Sequence, residues 1–269
     1  MAMTDEEVFR FDLAGFFVRP AILTAAEVAA IVNLIDRIGH DPMSLPPEQR
    51  AIPGGPASIL IDHPQVTDVL FRVIGPDIRL EHAVAVWREK GDAHGQGLHS
   101  GGPMQDDPVF GYRVRNGRIH AGMMRVIFEL TEVRKEDGAT VFLAGSHKAN
   151  FPIHPHHLSL ADGERSEFLT GYDCPAGSAI FFTENLCHAG PVWRRNTPRV
   201  AVLHAYSHLA INYHRLTTPP EVIAGLPRDK QLFFREPWIA DFRTSPPTHN
   251  SVHRFMANDE RPIDTDTRP

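Results

Sequence analysis

Two histidines and an arginine carry the chemistry this sequence can be expected to do. His99 closes a strand-like run and opens directly into Ser100, Gly101, Gly102 and Pro103. A metal-binding imidazole needs that setting: a stiff element to hold the ring and open backbone beside it. His188 follows a second such run, the apolar stretch from Ala179 to Thr183, and Arg199 lies eleven positions further on. A guanidinium clamps a carboxylate through two parallel hydrogen bonds, which an ammonium group cannot do. Two strand-end histidines followed by such an arginine suggest a mononuclear iron site. The facial set of an iron oxygenase is two histidines and one carboxylate. That carboxylate normally stands two residues after the first histidine, and here the position is Gly101.

The elements that must position these residues are legible in outline. Thr4 caps a first helix to Ala14, Gly15 ends it, and Phe16 to Pro20 is a short strand. Thr24 and Glu27 form a capping box for a helix that carries Val28, Ile31, Leu34, Ile35 and Ile38 at helical spacing. The proline-rich stretch 41–56 reads as a surface loop, and 64–74 as another helix. From Ile78 the pattern turns to strands: 78–88, 94–99, 119–133 with a kink at Gly122, 140–143, 179–183 and 199–209. Residues 106–117 form a polar loop with Arg113, Arg115 and Arg118 around it, 146–164 is irregular, and 227–235 makes a short helix. Helices first and then many strands with long loops imply a mainly β fold, a double-sheet barrel with flanking N-terminal α-helices.

Composition narrows the class. The 269 residues suffice for one large domain with a full core. With 27 basic and 33 acidic residues the net charge is -6, so nothing points to a nucleic-acid polymer. No apolar run approaches the roughly 20 residues of a membrane span. The acidic start lacks the order of a signal peptide, and the two cysteines, Cys174 and Cys187, sit in unrelated contexts, so a reducing, cytoplasmic setting is expected.

Several stretches together resemble the phytanoyl-CoA dioxygenase family. They are Phe11 to Phe16, Leu23 to Val28, His99 to Gly101, Asp137-Gly138, Leu143 to Lys148, Pro175 to Gly177, and His188 with Arg199. They run in the family's order over most of the chain. The resemblance implies a double-stranded β-helix (jelly roll), iron(II) on His99 and His188, and Arg199 on the distal carboxylate of 2-oxoglutarate. It also implies one domain over 1–269, with a helical part to about 75, a core over about 76–215 and a C-terminal extension.

Gly101 departs from the family's aspartate and resembles the halogenases of this chemistry, in which chloride takes the vacated position. Three readings stand. A missing side chain leaves room for an iron-bound chloride, with small Ser100 and Gly102 keeping the pocket floor open. Alternatively, water fills the place, or a carboxylate such as Asp106, Asp107 or Glu184 arrives from elsewhere, giving a hydroxylase. In the third reading the chain is a non-catalytic binding protein. The first is preferred: a chlorinase of an unactivated C–H bond using iron(II), 2-oxoglutarate, molecular oxygen and chloride.

For the substrate, Arg125 is the most informative residue, because it sits within the apolar run 123–128. An arginine there must reach solvent or a ligand, or pair with Glu129 on the same strand face. Arg125, with the Arg113–Arg118 segment and Arg194 behind it, points to a small anionic metabolite, a nucleotide first. The cluster His154, His156 and His157 reads as loop, and His147 as structural.

Overall fold

The computed structural model describes residues 3–93, 97–100, 111–161 and 163–237. Helix α1 (Asp5–Ala14) and helix α2 (Ala25–His40) both start with complete capping boxes, Thr4 with Glu7 and Thr24 with Glu27. Each box satisfies two backbone donors at the helix start, and the cap alone is worth about 1 kcal/mol. Gly15 ends α1 at φ +86°, and a Cβ there would stand 2.6 Å from Nδ1 of His147. His147 is therefore a packing residue under the helix end, where its Nε2 meets the Asp12 carbonyl at 3.2 Å. Helix α3 (Pro64–Val73) buries Val66, Val69, Leu70 and Val73, one stripe at helical spacing.

Three expectations need correction. The stretch 41–56 is not a loose surface loop: it winds through short 3₁₀ turns at Pro42–Ser44 and Pro47–Gln49 and buries Leu45 and Ile52. A proline at the first position of each turn pre-sets its backbone, which tucks the apolar residues between them inward. The polar segment around Arg113 to Arg118 is a hairpin, β3 (Arg113–Arg115) with β4 (Arg118–His120). Its turn is Asn116-Gly117, both at positive φ, the pair that a two-residue hairpin favours. The kink expected at Gly122 is a break between β4 and the next strand.

Five strands make the main antiparallel sheet. They are β1 (Phe16–Arg19), β2 (Ile78–Arg88), β5 (Met123–Glu129), β8 (Ser178–Thr183) and β10 (Arg199–His208), in the spatial order β1-β8-β5-β10-β2. A small sheet sets β6 (Val141–Leu143) between β7 (Leu169–Thr170) and β9 (His188–Ala189). One face of the main sheet, with Phe17, Phe128, Phe181 and Val202, packs on the helices through Phe11, Ile31 and Leu34. The other face, with Ile127, Ile180 and Phe182, turns toward Phe142 of the small sheet and Trp193. Two antiparallel sheets facing one another, with helices on the outer face of the larger, are the expected jelly roll.

Register sets what faces inward. Arg199 lies opposite Arg88, Ala201 opposite Glu129 and Val86, Leu203 opposite Ile127 and Val84, and Ala205 opposite Arg125 and His82. Below that row a bulge intervenes: Tyr206 pairs with Leu80, so Glu81 is the extra residue. Ile78 and Leu80 thus join the helical core, while His82, Val84, Val86 and Arg88 face the space between the sheets.

On the helical face His204 is fully buried against the Phe128 ring. Its Nδ1 meets the Tyr206 hydroxyl at 2.9 Å, and that hydroxyl donates to the carbonyls of Leu60 and Ile61. Nε2 of His204 has no partner among the described residues. Burial pushes His204 down to about 3 and His147 down to about 4, from an ordinary 6.5. The unfolded chain therefore takes up protons near pH 6.5 that the folded chain refuses. Stability is full above that pH and is lost as pH falls toward 4, by up to about 1.4 kcal/mol per unit for each such group. Urea midpoints should drop between pH 7 and 5, and the drop should be shallower in His204→Asn.

Candidate functional site

His99 and His188 are neighbours because their backbones pair. The His99 N–H donates to the His188 carbonyl at 3.0 Å and the His188 N–H returns the bond at 2.8 Å. Two residues that exchange both bonds across an antiparallel pair project their side chains to the same face. The rings lie with centroids 4.4 Å apart at 50°. Two imidazoles held at right angles on one ion, at about 2.1 Å each, would put their centroids roughly 4.5 Å apart. Each ring is also fixed in tautomer. Nδ1 of His99 lies 2.8 Å from the Gly97 carbonyl, and Nδ1 of His188 lies 2.7 Å from the Leu186 carbonyl. A carbonyl only accepts, so Nδ1 carries the proton in both and the Nε2 lone pair is left for a metal. Burial pushes His188 down to about 4, against the pull of Glu184, so the ring is neutral as a ligand requires. These residues fit a metal ion.

Both rings line a cavity of about 210 Å³ between the sheets. Its middle is apolar, with Val84, Val86, Ile127 and Leu203, and arginines stand at both ends. Arg199 and Arg88 occupy one end; Arg125 and His82 occupy the other, about 20 Å away along β10 at the usual strand rise.

Arg199 is buried and paired. Its Nε lies 3.1 Å from both oxygens of Glu129, and Nη2 bonds Oε1 of the same carboxylate. Tyr172 donates to Glu129 at 2.6 Å, and Thr140 Oγ1 lies 3.2 Å from Nη2. Burial alone would weaken the Arg199 charge, but the Glu129 carboxylate more than offsets it and holds the group firmly protonated. All these bonds use Nε or Nη2.

The expected pairing of Arg125 with Glu129 does not occur. Arg125 Nε bonds Glu184 instead, with Nη2 at 3.3 Å from the second oxygen. Burial tends to raise the Glu184 carboxyl, but Arg125 outweighs it and the group sits below its ordinary value. A carboxylate so occupied is a poor candidate for a third metal ligand. Among the described residues no cluster of three or more metal-ligating side chains occurs. Gly101, Gly102, Asp106 and Asp107 lie outside the described residues; Ser100 follows His99 and is half-buried. Arg194 is exposed and does not line the cavity, and neither do the residues of the β3–β4 hairpin. The sequence reading missed Glu129 as the partner of Arg199, and it missed Arg88 and His82. Alternation along β2 carried the signal, since 82, 84, 86 and 88 share one face.

A jelly roll whose inner cavity holds two tautomer-locked histidines and a buried arginine has the architecture of the non-haem iron oxygenases. The chain belongs to the phytanoyl-CoA dioxygenase family, whose profile matches residues 11–200, a family of iron(II)/2-oxoglutarate-dependent enzymes. Among solved structures it is similar to HygX from Streptomyces hygroscopicus with nickel and 2-oxoglutarate bound, at 20% identity over 77% of this chain and 87% of that one, TM-score 0.65. It is similar to the nickel complex of ThoJ, described as a non-heme monooxygenase, at 18% identity over 75% and 76% of the two chains, TM-score 0.55. It is also similar to SnoN, an epimerase solved with Fe3+, alpha ketoglutarate and nogalamycin RO, at 17% identity over 78% and 85%, TM-score 0.52. At these identities the likeness is one of fold. No curated protein matches in sequence.

Replacing Glu129 with Ala would leave Arg199 buried without its counter-charge. Breaking one side of a buried ion pair costs about 3–5 kcal/mol. Chemical denaturation of Glu129→Ala should show a loss of that order, and Glu129→Gln, which keeps a hydrogen-bond acceptor, a smaller one.

Proposed function

We propose that this protein oxidises a C–H bond of a small metabolite using iron(II), 2-oxoglutarate and molecular oxygen, with chloride beside Gly101, so that the product is chlorinated. The observation that carries this reading is the pairing of two Nδ1-capped histidines with no available carboxylate among the described residues, Glu184 being held by Arg125. His99 and His188 hold the metal through Nε2, and Arg199 holds the distal carboxylate of 2-oxoglutarate. Molecular oxygen is the oxidant; iron(II) held by these residues would activate it, with 2-oxoglutarate as the co-reductant that leaves as succinate and carbon dioxide. In balance, substrate C–H, chloride, a proton, oxygen and 2-oxoglutarate become C–Cl, water, succinate and carbon dioxide. The chain's own contribution is positioning and exclusion of water: Val84, Val86, Ile127 and Leu203 keep the middle of the cavity dry.

The distribution of arginines supports a division of labour. The Arg199 end suits the oxo acid, and the Arg125 end, across the metal residues, suits the substrate. Arg125 already shares its charge with Glu184, so an anionic substrate, a nucleotide included, would have to displace that carboxylate. A substrate uncharged where it passes Arg125 fits this pair better. A second reading is hydroxylation, favoured by the description of ThoJ as a monooxygenase.

His99→Ala and His188→Ala should each abolish iron-dependent succinate formation; normal succinate formation in both would remove the metal assignment. To separate chlorination from hydroxylation, turnover of a candidate metabolite pool should be followed by mass spectrometry with and without chloride. The expected product shows the two-isotope chlorine pattern and requires chloride. Equal amounts of hydroxylated product in both conditions would establish a hydroxylase instead. Gly101→Asp restores the carboxylate of the two-histidine-one-carboxylate set, and chlorination should disappear in that variant.

A further inference from the structure

The Arg199 end of the cavity holds more positive charge than its carboxylate can balance. Arg88 and Arg199 are register partners on adjacent strands and line the same cavity. Like charges directly opposite one another across strands are destabilising. Glu129 neutralises Arg199. Arg88, only 5% exposed, forms no ion pair among the described residues. Its Nη1 donates to the Pro191 carbonyl at 2.8 Å and its Nη2 to the Gly138 carbonyl at 3.0 Å. These acceptors are neutral. Its Nε is buried with no partner among the described residues. A guanidinium has five N–H donors, and among the described residues this one uses two. Burial and the adjacent Arg199 push the group down to about 10, so the fold holds it against its preference for water or a counter-anion.

Both its bonds also have a fixed geometry. Gly138 sits at φ +88°, and a Cβ there would come 1.9 Å from the Val192 carbonyl, so the turn admits only glycine. Pro191 and Val192 belong to the segment that follows His188. The two carbonyls therefore fix the guanidinium in place, and one of them, that of Pro191, lies three residues after His188. A pre-oriented cation without a counter-charge is the arrangement expected of a carboxylate seat.

We propose that Arg88 is a second binding group for the distal carboxylate of 2-oxoglutarate, and that it forms with Arg199 a two-guanidinium seat whose single surplus charge the carboxylate cancels. This rests on the cofactor reading given above. Arg199 contributes the edge that Glu129 does not occupy, and Arg88 contributes its unpartnered Nε–H. The seat selects 2-oxo acids that end in a carboxylate over those that end in a methyl group. It distinguishes them by charge, because the apolar middle of the cavity accommodates either chain.

The test uses the zinc-loaded protein, which binds without turnover, and calorimetry with two acids: 2-oxoglutarate, and 2-oxobutanoate, which lacks the distal carboxylate. Arg88→Met should weaken 2-oxoglutarate binding about 10–100-fold, the worth of one charged hydrogen bond. Binding of 2-oxobutanoate should change less than about two-fold, and Arg88→Lys, which keeps the charge, should recover most of the lost affinity. Equal weakening of both acids would overturn the proposal, because Arg88 would then only be fastening Pro191 and Gly138. No change in either would overturn it too. If the wild-type protein binds neither acid, the cofactor reading itself fails. Should Arg88→Met not fold, the wild-type ¹⁵N–¹H signal of Arg88 Nε, assigned by its loss in Arg88→Lys, decides the matter. It should shift on adding 2-oxoglutarate and not on adding 2-oxobutanoate; the same response to both would overturn the proposal.

Discussion

The candidate site depends on one short piece of backbone pairing. Only two hydrogen bonds join His99 to His188, yet they place two side chains from distant parts of the chain on one face at ligand spacing. The carbonyls of Gly97 and Leu186, each two residues before its histidine, then decide which nitrogen carries the proton. Backbone geometry therefore sets position and tautomer together, and no acidic side chain is needed to orient either ring. The two carboxylates that face the cavity wall, Glu129 and Glu184, are each committed to an arginine instead.

The cavity is organised by charge at its ends and by hydrocarbon between them. Buried ion pairs add little net stability, because desolvation offsets the attraction, but they are costly to break. Arg199 with Glu129 and Arg125 with Glu184 thus act as fixed dipoles. The Tyr172 hydroxyl and the Thr140 side chain complete the first pair, and little around it is free to rearrange when a ligand enters. A site whose polar groups are held before binding loses less conformational freedom on binding.

Much of this was legible in the sequence. The capping threonines, the strand alternation and the punctuation by Gly15 and Gly122 gave most elements, because each reports a local backbone requirement. His99, His188 and Arg199 were legible because each sits at a strand boundary. Partner choice was not. Arg125 and Glu129 share a face of one strand, and from alternation alone they look like a pair, but the pairing was decided by β8 and β10 on either side. Glu184 follows the end of β8 beside Arg125, and Arg199 starts β10 at the Glu129 end. Nothing local to the 123–129 segment encodes that. Arg88 differs: alternation along β2 puts it on one face with 82, 84 and 86, but what that face meets is known only once β10 lies beside it. The hairpin at Asn116-Gly117 was a different kind of miss, since its turn signal was present and was outweighed by the polarity around it.

The bulge at Glu81 changes the phase of β2, so that strand obeys two alternations rather than one. The residue that makes the change also ties down a distant segment. Its carboxylate accepts the N–H groups of Tyr213 and His214 at 3.0 and 3.1 Å, and the His214 ring lies against His82 on the cavity side, with centroids 5.4 Å apart. Deleting Glu81 would close the ladder into one regular alternation, with Leu80 still opposite Tyr206 and His82 still opposite Ala205. Ile78 and Leu80 would keep their places in the helical layer, but the segment after β10 would lose its anchor. The strand could thus pair without its irregular residue; what that residue brings is a carboxylate for a segment more than a hundred positions away.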